Sequence, residues 1–289
     1  VIRRCRTLLL LLLAMLLIGP TAAHAGPSST VYAHRGGAGI APENTMGAFR
    51  KSARLYGHRG VWLEMDVQLT SDGVLVVLHD DSLDRTTNCT GTVIEKTAAE
   101  VTACDASRSF QGWQRPEPVP TLEKVLREGK RRGWRLSVEI KNIPGEANFD
   151  PVGATVAGAL VDLVQRTGFP TGRLVAQSFW PASLEAVERE APAISTALLT
   201  TSQLPGAPAG VGLTVLSNAL FATARGYEVV SPDEGSVDLG AHTVQAAQAL
   251  GREVVVWTVD DPTRIAQVAS FGVDGIITNR PDLAYSAMG

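Results

Sequence analysis

The residues best suited to chemistry are charged side chains set into short apolar runs. Glu64 and Asp66 stand two apart within residues 61–67, and Glu139 and Lys141 repeat that spacing in VEIK. Side chains of a strand alternate between its faces, so each pair shares one face. Three carboxylates drawn to one place repel each other unless a cation sits among them, and an all-oxygen set favours Mg2+ or Ca2+ over zinc. The competing arrangement is a buried ion-pair network in which Arg35 and Lys141 neutralise the acids without a metal. His34 ends one β-patterned run and His79 ends another, followed by Asp80 and Asp81. A pair of imidazoles suits acid and base roles near neutral pH. Arg35 and Lys141 are cations suited to phosphate. The turn Gly36-Gly37-Ala38-Gly39 lets backbone approach a ligand closely, and Pro42-Glu43-Asn44-Thr45 opens a helix whose N-terminus favours an anion. His58, between Gly57 and Gly60, and His242, at the start of a helix, read as structural.

The elements that must position these groups alternate along the chain. Strand patterns fall at 31–35, 61–67, 74–79, 135–140, 173–178, 195–200, 227–231, 253–259 and 274–278. The gap between 67 and 74 is too short for a parallel crossover, and Ser71-Asp72-Gly73 reads as a tight turn, so 74–79 is the return arm of a hairpin. The other eight strands are separated by gaps that hold helices, among them 44–56, 121–132, 152–166 and 243–250. This predicts an α/β fold, a (β/α)8 TIM barrel, with an insertion at about 71–120 between strand two and its helix. In such a barrel the active site lies at the C-terminal ends of the strands, where His34, Glu64, Asp66, Glu139 and Lys141 fall. No internal repeat or linker marks a second domain, and the Pro/Gly-rich stretch 204–212 reads as a surface loop.

Residues 1–25 look like a leader removed before folding. Arg3, Arg4 and Arg6 precede an apolar run from Leu8 to Ile18, and Ala23-His24-Ala25 forms an A-x-A cleavage site. A membrane anchor needs ~20 apolar residues, and Gly19-Pro20 breaks this run sooner. Residues 26–289 are thus expected outside the cell as one domain. Losing the three arginines takes the formal charge from −3 to −6, a balance that disfavours nucleic acid as partner. Cys5 leaves with the leader. Cys89 and Cys104 then form an even pair, which in an exported chain reads as a disulfide inside the insertion rather than a metal site.

The stretches AHRGGAGIAPENT at 33–45, LEMDVQLTSDGVLVVLHDDSLDRTTNCTG at 63–91, VEIK at 138–141, QSF at 177–179, VWTVD at 256–260 and GVDGIITNRPD at 272–282, in this order, resemble the glycerophosphodiester phosphodiesterase family. The resemblance implies a metal-dependent barrel that splits glycerophosphodiesters, its small-molecule substrates, into sn-glycerol 3-phosphate and an alcohol. It also implies Glu64, Asp66 and Glu139 as metal ligands, His34 and His79 as the acid–base pair, and Arg35 and Lys141 as phosphate contacts. Phe179 and Trp257 match apolar positions at the mouth, though a buried core role fits them as well. Trp180 departs from the pattern, since many relatives carry an acidic residue there. One histidine would deprotonate a water or the glycerol 2-hydroxyl, the second route passing through a cyclic phosphate, and the other would protonate the leaving alkoxide. Two rivals are a sphingomyelinase D-like phospholipase, for which no basic amphipathic stretch is present, and a silent barrel that only binds phosphorylated glycerol or wall polymers.

Overall fold

The computed structural model describes residues 29–201, 214–236 and 238–289. The expected leader at 1–25 and the loop at 204–212 lie outside the described residues. Eight parallel strands close into a barrel: β1 (Thr30–Ala33), β2 (Trp62–Leu69), β4 (Arg135–Ile140), β5 (Leu174–Ser178), β6 (Ser195–Thr200), β7 (Val229–Pro232), β8 (Glu253–Val256) and β9 (Gly275–Thr278). Closure is through β1, where Tyr32 pairs with Trp62 on one side and Ile277 on the other. The short β3 (Leu75–Val77) runs antiparallel to β2 as the return arm of a hairpin, Val67 opposite Val77.

Helices fill the gaps between the wall strands: α1 (Met46–Tyr56), α2 (Ala98–Thr102), α3 (Leu122–Arg132), α4 (Ala154–Thr167), α5 (Pro181–Glu190), α6 (Val215–Arg225), α7 (Ala241–Ala249), α8 (Pro262–Ser270) and α9 (Pro281–Ala287). Their ends follow local chemistry. In α3, Leu122, Val125 and Leu126 make one buried stripe, the Thr121 side chain accepts from Lys124 N, and Gly133 stops the helix at a φ of 74°. Helices α5, α8 and α9 open on proline, which lacks a donor where none is needed.

The strand period of two divides the side chains into two sets. Leu63, Met65, Val67, Leu136, Val138 and Ile140 face outward and pack beneath the helices. Truncating one of the Leu, Met or Ile side chains among them to alanine costs about 2–5 kcal/mol. Tyr32, Val175, Ala197, Val229, Val255 and Ile277 point inward and fill the lumen. Tyr32 stacks on Trp62 at 5.5 Å, and a Cβ on Gly275 would come within 2.7 Å of its ring. That part of the lumen is thus solid and apolar, and the buried polar side chains that face inward gather on β2, β4 and β5, among them Glu64, Asp66, Ser137, Glu139 and Gln177.

The insertion has a small core of its own, with Val76, Leu78, Leu83, Val93, Val101 and Val119 packed around Cys104. Cys89 and Cys104 are joined, their Cα atoms 5.7 Å apart. Three strands, β1, β3 and β8, end sooner than the apolar runs predict, whereas β2 continues to Leu69. Arg35 adopts a left-handed φ of 52° and its N–H donates to a Glu64 carboxylate oxygen, so β1 stops at Ala33 and His34–Gly36 form a 3-10 turn. Likewise β8 stops at Val256 rather than reaching 259, and beyond it Trp257 keeps only a bridge to Asp233.

Candidate active site

The C-terminal ends of the strands converge on a cavity of about 290 Å3 lined by His34, Arg35, Glu64, His79, Glu139, Lys141, Glu146, Gln177, Phe179 and Trp257 among others. At its floor, ligand oxygens of Glu64, Asp66 and Glu139 all lie within 4.8 Å of one another, and all three residues are buried. Their neighbours fix their orientation. Glu64 Oε1 accepts from Gln177 Nε2 at 2.9 Å, and Gln177 Oε1 in turn accepts from Ser137 Oγ at 3.0 Å. Glu64 Oε2 accepts from Arg35 N at 2.6 Å. Asp66 Oδ2 accepts from Asn44 Nδ2 at 2.8 Å.

Two cations and two imidazoles surround this floor. Arg35 Nε lies 3.6 Å from Asp66 Oδ2, and its Nη1 donates to Glu43 at 3.0 Å. Lys141, only 2% exposed, sits 3.0 Å from Glu139 Oε1 and 3.3 Å from His79 Nε2. His79 Nδ1 meets Asp80 Oδ1 at 2.6 Å, and Arg85 clasps Asp80 and Glu43 together, both contacts bidentate. One charged chain therefore runs from His79 to Arg35 around the rim. His34, the residue before Arg35, has its Nδ1 2.8 Å from Asn279 Oδ1 and its Nε2 4.0 Å from Glu64 Oε2.

Burial and crowding divide the carboxylates. Burial, joined by the Asp66 charge and opposed by the Arg35 N–H bond, pushes Glu64 well above the ordinary range. Burial also pushes Glu139 up to about 7, with Lys141 opposing and Asp66 assisting. Asp66 is held below its usual value although burial acts the other way, because His79, Arg35, Lys141 and His34 face it. Burial, with Arg35 beside it, brings His34 down to about 4, and burial lowers His79 too. The repulsion within the trio thus falls on the two glutamates, which are shifted toward their protonated forms while Asp66 is held ionised. Asp66 Oδ1 is buried with no hydrogen-bond partner. A buried carboxylate oxygen without a donor, in a residue whose ligand atoms lie within 4.8 Å of two other carboxylates, fits a hard divalent cation, and the trio can hold one.

The geometry corrects one expectation about anion binding. The N-terminus of α1 does not face the cavity as a free anion site: Thr45 Oγ1 accepts from Ala48 N, and Glu117 from the insertion accepts from Gly47 N at 3.0 Å. The glycine turn is also spent internally, Gly37 N and Ala38 N on His34 O and Gly39 N on Asn279 O. That leaves Arg35 and Lys141 as the cations nearest the floor. Phe179 and Trp257 meet edge to face at 5.3 Å on the cavity wall. Trp180 turns away, donating to Pro151 O and packing on Phe149. His58 and His242 are exposed and do not line the cavity. A separate cleft of about 380 Å3 at the N-terminal ends of β2 and β4, beside His58, Arg132 and Arg135, gathers no carboxylate cluster.

Several residues at the site carry no role in the sequence reading: Asn44, Gln177, Asp260, Asn279, Glu43, Asp80, Arg85 and Glu146. Gln177 was within reach, since on β5 it stands opposite Glu139 of β4 and shares its inward phase. The Arg85 clasp was not, because nothing periodic in a loop says which of its charges turn inward.

A parallel barrel with an acidic floor, two cations and two imidazoles at its C-terminal mouth has the architecture of a (β/α)8 enzyme with a site suited to an anionic substrate. The profile of the "Glycerophosphoryl diester phosphodiesterase family" matches residues 34–283. Glycerophosphodiester phosphodiesterase of Caldanaerobacter subterraneus is 32% identical over 87% of this chain and 94% of its own, and that of Bacillus altitudinis 32% over 88% and 96%. Among solved structures, an Oleispira antarctica phosphodiesterase in complex with the product sn-glycerol-3-phosphate superposes with a TM-score of 0.74 and 26% identity over 90% of this chain and 97% of that one. The chain belongs to the glycerophosphoryl diester phosphodiesterase family and is a phosphoric diester hydrolase of that kind.

Proposed function

We propose that the cavity hydrolyses glycerophosphodiesters to sn-glycerol 3-phosphate and an alcohol, with a divalent cation, Ca2+ or Mg2+, held by Glu64, Asp66 and Glu139. The observation that carries this is the buried trio within 4.8 Å, ringed by both imidazoles and both cations. When bound, the cation supplies positive charge at the phosphoryl oxygens. Arg35 and Lys141 flank the same floor and would orient the phosphodiester through its non-bridging oxygens. The new P–O bond forms from an oxygen nucleophile whose proton passes to His34 Nε2. The P–O bond to the alcohol breaks, and the alkoxide takes a proton from His79. Two features support this division. Asp80, a carboxylate on His79 Nδ1, favours the charged imidazolium, whereas the neutral Asn279 amide on His34 does so less. His34 is also the less exposed of the two, its side chain 15% exposed against 30% for His79, which lies on the insertion. Phe179 and Trp257 would meet the apolar edge of the substrate. The Cys89–Cys104 bond supports export to an oxidising compartment.

The test is release of glycerol 3-phosphate from glycerophosphocholine and glycerophosphoethanolamine. Activity should vanish in EDTA and return with Ca2+ or Mg2+. Full turnover after exhaustive chelation would overturn the metal assignment, and phosphocholine as product would overturn the bond assignment.

A further inference from the structure

Beyond the residues that touch the cavity floor, the ends of β8 and β9 carry a second, outward-facing network. Asp260, four residues past β8, accepts three hydrogen bonds: from Asn279 N at 2.8 Å and Thr278 Oγ1 at 3.0 Å on Oδ1, and from Asn279 Nδ2 at 2.7 Å on Oδ2. Asn279 is pinned on its other side as well, its carbonyl accepting from Gly39 N at 2.8 Å. An ionised carboxylate only accepts, so it must face the NH2 of the Asn279 amide. The amide oxygen is thereby turned to His34 Nδ1, 2.8 Å away. That oxygen only accepts too, so Nδ1 carries a proton whether the ring is neutral or charged. The atom left to exchange a proton is Nε2, which faces the floor beside Glu64.

We propose that Asp260 and Asn279 form a positioning relay that holds the proton on His34 Nδ1 and so makes Nε2 the proton acceptor of the reaction. Neither residue touches the floor. The inference rests on the assignment of His34 as base, and it adds the reason why one ring nitrogen rather than the other performs that task. His79 has its Nδ1 proton held by a shorter route, with Asp80 directly on that atom.

The critical variant is Asp260→Asn. Its oxygen can still serve Asn279 N and Thr278 Oγ1, which leaves its NH2 opposed to the NH2 of Asn279. The conflict is relieved when the Asn279 amide turns over and offers its NH2 to His34 Nδ1. The ring must then carry its proton on Nε2, where it is useless as a base. The readout is a long-range 1H–15N spectrum of 15N-histidine-labelled protein with Ca2+, the His34 signals identified by their loss in His34→Gln. The wild type should show the Nδ1–H form, and Asp260→Asn the Nε2–H form with kcat down ~10²-fold or more and KM within about threefold. An Nε2–H ring in the wild type overturns the relay, and that spectrum decides even if the variant does not fold. A folded Asp260→Asn that keeps the Nδ1–H form overturns it as well. A switched tautomer with undiminished turnover leaves the relay standing and refutes His34 as base.

Discussion

His34 and His79 reach the same cavity from two unlike scaffolds. His34 stands one residue past β1, the strand through which the parallel barrel closes on both sides, and its ring is pinned from the ends of β8 and β9. His79 stands two residues past β3 on the insertion, whose own core is a handful of buried side chains, a disulfide and the Arg85 clasp. One position is therefore a property of the whole sheet, and the other of a local closure. Conditions that loosen the insertion should displace His79 while the barrel, and His34 with it, stays in place.

The first way to break that contrast is at the floor both histidines share. Glu64→Gln and Asp66→Asn should abolish turnover and calorimetric metal binding while the far-UV spectrum and melting transition persist, because each removes an anionic ligand without opening a cavity. Near-normal turnover in either after EDTA dialysis would remove the floor from the mechanism.

Next comes the division between the imidazoles. His34→Ala and His79→Ala should each lower kcat on glycerophosphocholine by ~10² to ~10⁴. On a nitrophenyl phosphodiester, whose leaving group departs unprotonated, His79→Ala should recover most of its activity and His34→Ala should not. Equal losses on both substrates would end the division, and the opposite pattern would reverse it.

The scaffolds themselves are told apart by the disulfide. A bond closing a loop of 15 residues stabilises a unit by ~3 kcal/mol in the chain-entropy account. Reduction, or Cys89→Ser with Cys104→Ser, should lower turnover by up to about tenfold through local opening and leave the barrel melting transition nearly unmoved. A barrel that melts together with the insertion would show one cooperative unit instead of two. The smallest effect is expected at the clasp. Arg85 is 46% exposed, so Arg85→Gln should cost about two- to fivefold in kcat/KM, the equivalent of ~0.5–1 kcal/mol for a partly exposed pair. A larger loss would mean that the clasp, rather than the small core, holds His79.

Sequence alone determined the eight wall strands, the odd hairpin arm and the side of the barrel on which chemistry must lie. Those are statements about period and length, and a period of two carries its own direction: once Leu63 and Met65 face the helices, Glu64 and Asp66 have nowhere to point but inward. Spacing likewise brought Glu139 and Lys141 to the mouth beside them. What the tertiary structure decided is which loop residues turn toward that floor. Asn44 on Asp66, Asp80 on His79, Arg85 on Glu43 and Asn279 on His34 all come from segments without a repeat, where a side chain's direction is set by its neighbours in space. The same holds for the α1 N-terminus: its sequence offers an anion site, but only the folded insertion shows Glu117 already there. A hydrogen bond between residues 245 apart leaves no trace in either residue's local sequence, and it is the bond that orients the His34 ring.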